Sequence, residues 1–396
     1  MVGTGPSVVA LVPAWNAAGF ILDTLESLAR QTHGNLRVIV SVDLSPDDTV
    51  AVCEAFAAKD PRFRVLRQTE RQGWAGNTNA LLREARGDYA FFAFHDDWLE
   101  PTYVSELVAA LEADPGSAVA FSDLEITHLD GRVEVGVLEG IHAEGDLERR
   151  LEVLLAWDRP WWIPGRGLFR LDMARRIGGI QCFLAGEFSA DFPWLIHLAL
   201  HGAFLRVPQV LCHKRYMAGS LTRTWASSDS RCLAVTLSMV REGVRAELPP
   251  EARARALPHL VAFTLAHLLV MTERGLWDPP HYERQLVPLR QEPFPASFRE
   301  ACRAVGLEPD LVDFGALEPP PWTRLAKLLP TRSLRRRGRH PARHRALASQ
   351  RLRLQEALGY LRSDAARTSA RAYLEGLDFP ASPWGAPLSL AWPPKA

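Results

Sequence analysis

Tyr89-Ala90-Phe91-Phe92-Ala93-Phe94 runs directly into His95-Asp96-Asp97-Trp98. Six apolar residues without a break are the pattern of a strand buried on both faces, and a polar stop fixes where it ends. Two adjacent carboxylates just past such a strand can hold Mg²⁺ or Mn²⁺, hard cations that prefer oxygen ligands and leave positions open for phosphate oxygens. The competing reading is a helix cap, with Asp96 or Asp97 serving the amides of the helix that starts near Pro101.

The residues upstream of this strand repeat one theme. Ser7-Val8-Val9-Ala10-Leu11-Val12-Pro13 and Arg37-Val38-Ile39-Val40-Ser41-Val42 read as buried strands, and Phe63-Arg64-Val65-Leu66 as a third, shorter one. Helical periodicity separates them, in Phe20 to Leu28, Asp48 to Ala58 and Gly76 to Ala85. Strands alternating with helices of about ten residues predict βαβ units and a mainly parallel sheet. Ligands of such sheets bind beyond the carboxyl ends of the strands. Asn16, Asp43, Asp96 and Asp97 all fall there.

These motifs in order resemble the nucleotide-binding half of family 2 glycosyltransferases, which have the GT-A fold. The resemblance rests on Val12-Pro13-Ala14-Trp15-Asn16, Asp43-Leu44-Ser45-Pro46-Asp47-Asp48-Thr49, Gly73, Asn79, Gly87-Asp88-Tyr89 and the acidic pair. It implies an inverting transfer from a UDP-, GDP- or dTDP-sugar, with Mg²⁺ or Mn²⁺ at the diphosphate. It places Pro13, Trp15 and Asn16 near the nucleoside, Asp43 on the base, Gly73 and Asn79 in the nucleotide-binding set, and Asp96 and Asp97 on the metal. Three positions depart from the family pattern: Phe94 stands where an Asp is usual, Leu44 replaces a second Asp, and Met217 occupies a His position.

Gly186-Glu187-Phe188-Ser189-Ala190-Asp191-Phe192 resembles the family's acidic catalytic motif. Inverting transfer needs a base to take the acceptor hydroxyl proton. Asp191 is the candidate and Glu187 the second. A carboxylate at a helix start is also favoured as a cap. In His213-Lys214-Arg215-Tyr216-Met217-Ala218-Gly219-Ser220, Arg215 and Ser220 match the family's late segment. Arg215 is then a diphosphate clamp or a surface ion pair, and His213 a candidate to replace the missing His. Trp157, Trp161 and Trp162 precede Gly165-Arg166-Gly167. Their rings suit either a sugar or the core, and Gly165 would allow close approach of a ligand.

Composition limits the rest. The chain has 396 residues with 47% hydrophobic and 23% charged, ordinary for a multidomain globular protein. Forty-six basic and 46 acidic residues cancel overall, but residues 321–371 hold 14 Lys/Arg against two Asp/Glu. Cys53, Cys182, Cys212, Cys232 and Cys302 are scattered, with no C-x-x-C, which suggests reduced thiols rather than a disulfide framework or a zinc site. The absence of a basic residue before Arg30 argues against a signal peptide, and no apolar run reaches about 18 residues, so a cytoplasmic protein is expected.

The organisation expected is a GT-A domain over 1–225, a helical region over 226–320, and a basic amphipathic helical segment with an irregular tail over 321–396. Arg332, Arg335, Arg336, Arg337, Arg339, Arg343 and Arg345 precede a leucine stripe at Leu347, Leu354, Leu358 and Leu361. The 332–361 segment is therefore a candidate for an anionic membrane surface, with pairing to the acidic 1–225 region as the alternative. It has no interleaved aromatics for stacking bases, so nucleic acid is not expected as a partner. The acceptor stays unknown. A non-catalytic, glycosyltransferase-like binding or scaffold protein is the alternative that Phe94, Leu44 and Met217 favour.

Overall fold

The computed structural model describes residues 5–141, 146–156, 159–182, 186–220, 229–274, 294–312 and 364–376. Trp157, the basic 332–345 run, the leucine stripe and the tail from Phe379 lie outside the described residues. The first half alternates as the sequence predicts: β1 Val8–Ala14, α1 Ile21–Ala29, β2 Leu36–Val42, α2 Thr49–Ala57, β3 Phe63–Arg67, α3 Gly73–Glu84 and β4 Tyr89–Phe92. Every residue of β1 and β4 is buried, which is why both read as unbroken apolar runs. In α1, Ile21, Thr24, Leu25 and Leu28 face the sheet.

The chain continues through β5 Trp98–Leu99, α4 Tyr103–Ala113, β6 Ser117–Thr127, β7 Val133–Gly136 and α5 Leu147–Leu154. A 3₁₀ turn at Ile163–Arg166 leads to β8 Leu168–Arg170, α6 Leu171–Arg176, α7 Asp191–His201 and β9 Ala203–Arg215. The described helices beyond the sheet are α8 Asp229–Arg245, α9 Pro250–Arg274, α10 Phe294–Ala304 and α11 Asp364–Gly376.

One sheet runs in the order β3-β2-β1-β4-β8-β6-β9-β5, with β7 paired to β6. β3, β2, β1 and β4 are mutually parallel. β8 is antiparallel to both β4 and β6, and β6 is parallel to β9. Two reversals cancel, so the carboxyl ends of β1, β2, β4, β6 and β9 share one edge. That edge collects the loops that carry Asn16, Asp43, Asp96 and Arg215.

Several boundaries differ from the sequence reading, β4 ending at Phe92 and not Phe94 among them, and two of the differences have a physical reason. By its apolar residues the sequence predicts a strand only over Phe204–Val207, but β9 extends far beyond it because a bulge carries it past Pro208 and Gln209: Ser122 pairs Val207, but Asp123 pairs Val210. Arg206 anchors the bulge with paired hydrogen bonds to Asp123 at 2.7 and 2.8 Å. Helix α3 starts at Gly73, not Gly76, because carboxylates from elsewhere serve its first amides. Asp43 accepts from Gln72 and Gly73, and Glu187 accepts from Ala75, at 2.8 to 3.0 Å.

Candidate active site

At the carboxyl edge, Asp97 is buried and its Oδ2 accepts from Arg166 Nε at 2.7 Å. Its Oδ1 is buried without a hydrogen-bond partner. Arg166 is itself sunk in the protein, its guanidinium 4.8 Å from the Phe94 ring and 5.0 Å from the Trp162 ring. Burial works against the Arg166 charge, yet the Asp97 carboxylate outweighs burial and raises its pKa.

Beside this pair, the Lys214 ammonium lies 4.6 Å from the Tyr216 ring and 5.9 Å from the Trp162 ring. Lys214 is buried, and burial together with Arg166 lowers its pKa, while Asp97 and Asp96 pull the other way. Two cations thus flank two carboxylates, a set that is balanced in formal charge and can take up a divalent cation and an anion together. An anion of the diphosphate kind suits the cations.

The acidic pair splits. Asp96 is half-buried, and its carbonyl accepts from Arg215 Nε at 3.0 Å. Asp97 is tied to Arg166, and its carbonyl accepts from Thr24 at 2.6 Å. Neither carboxylate caps the following helix, which has no side-chain cap. Among the described residues no group of three or more His, Cys, Asp or Glu forms a ready-made metal cluster. The Asp96 carboxylate and the unpartnered Asp97 Oδ1 are nonetheless hard oxygen donors of the type that Mg²⁺ or Mn²⁺ takes.

Asp191 begins α7, with its neighbour Phe192 stacked on Trp161 at 3.8 Å between ring centroids. Burial pushes the Asp191 carboxyl up to about 6, while the amides of Asp191 and Phe192 and the charge of Arg166 pull it back. The carboxylate lies against the first amides of the helix without forming a side-chain cap, and burial holds it closer to neutrality than an exposed carboxylate. Among the described residues, two that are not glycine adopt the left-handed region, Asn16 at φ 48° and Ser189 at φ 48°. Both sit in loops of this edge, and such conformations persist where the surrounding structure enforces them.

Several sequence expectations change here. Asp43, expected on the base, is fully buried, and its two oxygens accept from the amides of Leu44, Gln72 and Gly73 and from Arg71 at 2.8 Å. Its carboxylate shapes the loop, and Arg71, which it holds, lies 3.9 Å over the Trp15 ring. Trp15 is 36% exposed and donates from Nε1 to the Leu44 carbonyl. Arg71 and Trp15 thus present the outer surface that Asp43 does not.

Asn79 is not at the site: its amide makes a two-way pair with the backbone of Ile180, at 2.6 and 2.9 Å. Glu187, the second candidate for the base, docks the Asp191 loop on α3, helped by the Trp74 Nε1 donating to its carbonyl at 3.0 Å. Gly73 makes that docking possible, since a Cβ there would lie 2.2 Å from Glu187 Oε1 and φ is 71°. Gly165 packs on Leu195 with ordinary room for a Cβ; the close approach belongs to Gly167, where a Cβ would lie 2.5 Å from the Ala120 carbonyl oxygen. Trp161 packs on α7, whereas Trp162 faces both cations.

Arg215 braces the loop, binding the Asp96 carbonyl and Asp23 at 2.6 Å. His213 points away from Lys214 by strand alternation. It stacks on Trp98 at 3.5 Å, with Glu125 at 3.0 Å and Glu100 at 2.9 Å on its two nitrogens, so it does not replace the missing His. Pro13 contributes its carbonyl, which accepts from His95 Nδ1 at 2.9 Å. Sequence reasoning missed Arg71, Arg166 and Lys214. A signal existed for the last: Lys214 is one of four lysines among 46 basic residues.

Residues 9–133 match the family model "Glycosyl transferase family 2". The chain is 37% identical over 103 residues to "Putative glycosyltransferase EpsH" of Bacillus subtilis (strain 168), covering 26% of this chain and 30% of that protein. It is 32% identical over 127 residues to "Succinoglycan biosynthesis protein ExoO" of Rhizobium meliloti (strain 1021), covering 32% and 36%. The chain therefore spans about a third of the length of these two relatives. Among solved structures, residues 1–349 of S. aureus TarS superpose with a TM-score of 0.54 at 17% identity, covering 81% of this chain and 87% of that one. The family match covers about the first third of the chain, and the fold is GT-A.

Proposed function

We propose that the protein is a glycosyltransferase that moves a sugar from a nucleoside-diphosphate sugar to an acceptor hydroxyl with inversion. The observation that carries this reading is the grouping, on one sheet edge, of Asp96 and Asp97, the buried cations Arg166 and Lys214, and Asp191 with its carboxyl raised to about 6. Support also comes from the family match and from a TarS structure whose description names UDP-GlcNAc, with a TM-score of 0.52.

In this reading Arg166 and Lys214 hold the diphosphate, and Trp15 with Arg71 borders the nucleoside. Asp96 and Asp97 Oδ1 would hold a divalent cation, Mg²⁺ or Mn²⁺, which neutralises charge on the departing diphosphate. Asp191 accepts the acceptor's hydroxyl proton as that oxygen bonds to the anomeric carbon and the bond from that carbon to the diphosphate oxygen breaks. The nucleoside diphosphate leaves, and Trp162 covers the cations from water. The proposed boundaries are a GT-A domain over 1–225 followed by helical segments. Among the described residues no helix is long and apolar enough to cross a membrane.

The test is release of nucleoside diphosphate from a panel of UDP-, GDP- and dTDP-sugars with Mn²⁺, comparing the full chain with Asp96→Ala. Release by the wild type and its loss in Asp96→Ala support transfer chemistry. No release and no calorimetric binding of any donor would leave the scaffold reading instead.

A further inference from the structure

Buried charge sits where α7 meets α8, well away from the carboxyl edge. His197 on α7 and Glu242 on α8 are both buried, and His197 Nδ1 is bonded to Glu242 Oε2. The other Glu242 oxygen accepts from Arg245 at 3.1 Å, and Arg245 in turn donates to the carbonyl of Ile177, the residue that closes α6. His201 stacks on His197 at 5.3 Å. At the opposite end of α8, the Arg231 guanidinium lies 5.6 Å from the ring of Phe188, in the loop that leads to Asp191. The remaining buried residues of the two helices include the apolar Leu195, Leu198, Leu233, Leu237 and Val240, and the buried hydroxyls of Thr236 and Ser238 bond back to carbonyls of α8 itself and not across to α7.

An apolar interface alone would let α7 settle at several axial positions. A buried carboxylate that must keep its partners permits one, because parting it from them leaves an uncompensated charge. His197 lies six residues along α7 from Asp191, about 9 Å at 1.5 Å per residue. A shift of the helix at His197 therefore moves the carboxylate at its start by a similar amount.

We propose that Glu242, through His197, positions Asp191: the His197–Glu242–Arg245 relay fixes the axial setting of α7 and so makes the helical region part of the transferase site. This rests on Asp191 acting as base. Glu242 and His197 are positioning residues; neither touches substrate.

The experiment uses the full chain, with donor hydrolysis as the turnover measure and calorimetry with the nucleoside diphosphate as the binding measure. A misplacement of about 1 Å costs up to about a hundredfold in rate. Glu242→Leu is therefore expected to lower turnover about tenfold or more, shift the acid limb of the pH profile, and leave nucleoside diphosphate affinity within about twofold. Glu242→Gln, which still accepts from His197, should retain turnover within about threefold. In Asp191→Asn the second change should cost nothing more, because the positioned group is already gone.

If Glu242→Leu does not fold, Glu242→Asp, which keeps the charge and draws His197 closer, must give the same loss and the same shift. Unchanged turnover with only a lower Tm, losses that multiply with Asp191→Asn, or nucleoside diphosphate affinity lost in parallel would each overturn the proposal. Undiminished turnover in Asp191→Asn alone would instead overturn the base assignment, so the two failures are told apart.

Discussion

Asp191→Asn separates a base from a cap by the sign of its effect on stability. Burial, the largest cause, pushes the Asp191 carboxyl from the ordinary 3.8 up to about 6. At about 1.36 kcal/mol per unit, that is about 3 kcal/mol of cost for holding the ionised form in the fold. Its half-buried position reduces the expected figure to about 1–2 kcal/mol. Because the folded pKa is the higher one, the unfolded chain gives up this proton first as pH rises. Stability falls across the window from about 4 to about 6, and the full cost is present above it. Asn carries no charge and retains a capping oxygen. The variant should match wild type below about pH 4, exceed it by about 1–2 kcal/mol at pH 8, and lose transfer by about 10²–10⁴-fold. Urea unfolding at the two pH values and donor turnover measure this. A variant less stable than wild type at pH 8 would show that the carboxylate serves the helix start, and retained turnover would refute the base.

Lys214→Met removes a buried cation whose pKa burial has lowered, so Tm at pH 7 should hold or rise. Calorimetric affinity for nucleoside diphosphate should fall about tenfold, the scale of one charge-assisted contact; unchanged affinity would remove Lys214 from the diphosphate site. Gly73→Ala puts a methyl 2.2 Å from Glu187 Oε1 on a backbone at φ 71°; the flexible carboxylate can shift, so the loss by denaturation should be about 1–2 kcal/mol, most of it backbone strain. A loss below about 0.5 kcal/mol would refute the strained backbone at Gly73. The 332–361 segment should carry the chain down with vesicles containing anionic lipid at low salt, at about 1 kcal/mol per basic residue. Replacing Arg335, Arg336 and Arg337 by Gln should abolish that pelleting, and none at low salt would end the membrane reading.

What the sequence made legible follows from where each partner lies. β1, β2 and β4 were readable because parallel strands covered on both faces need continuous apolar residues, and nothing remote alters that requirement. β9 was not, since Pro208 and Gln209 look like a strand end unless the shift against Ser122 and Asp123 is visible. The same division runs through the site. Asp96, Asp97 and Asp191 declared themselves by local position, each at the end or start of an element. Asp43, Asn79 and Glu187 stood in the expected motifs, but partners of their side chains are 28 to 112 residues away in sequence, at Arg71, Ile180 and Ala75. Those three carboxamide and carboxylate groups build the edge from behind, and cations the motifs did not mark, Arg71, Arg166 and Lys214, supply the surface in front. The departures at Phe94 and Leu44 fit this arrangement. Phe94 lies under the Arg166 guanidinium, and Leu44 presents its carbonyl to Trp15. An acidic side chain at position 94 would compete with Asp97 for Arg166. With Phe there, Arg166 pairs with a single carboxylate, and its remaining donors and charge stay directed at an incoming anion.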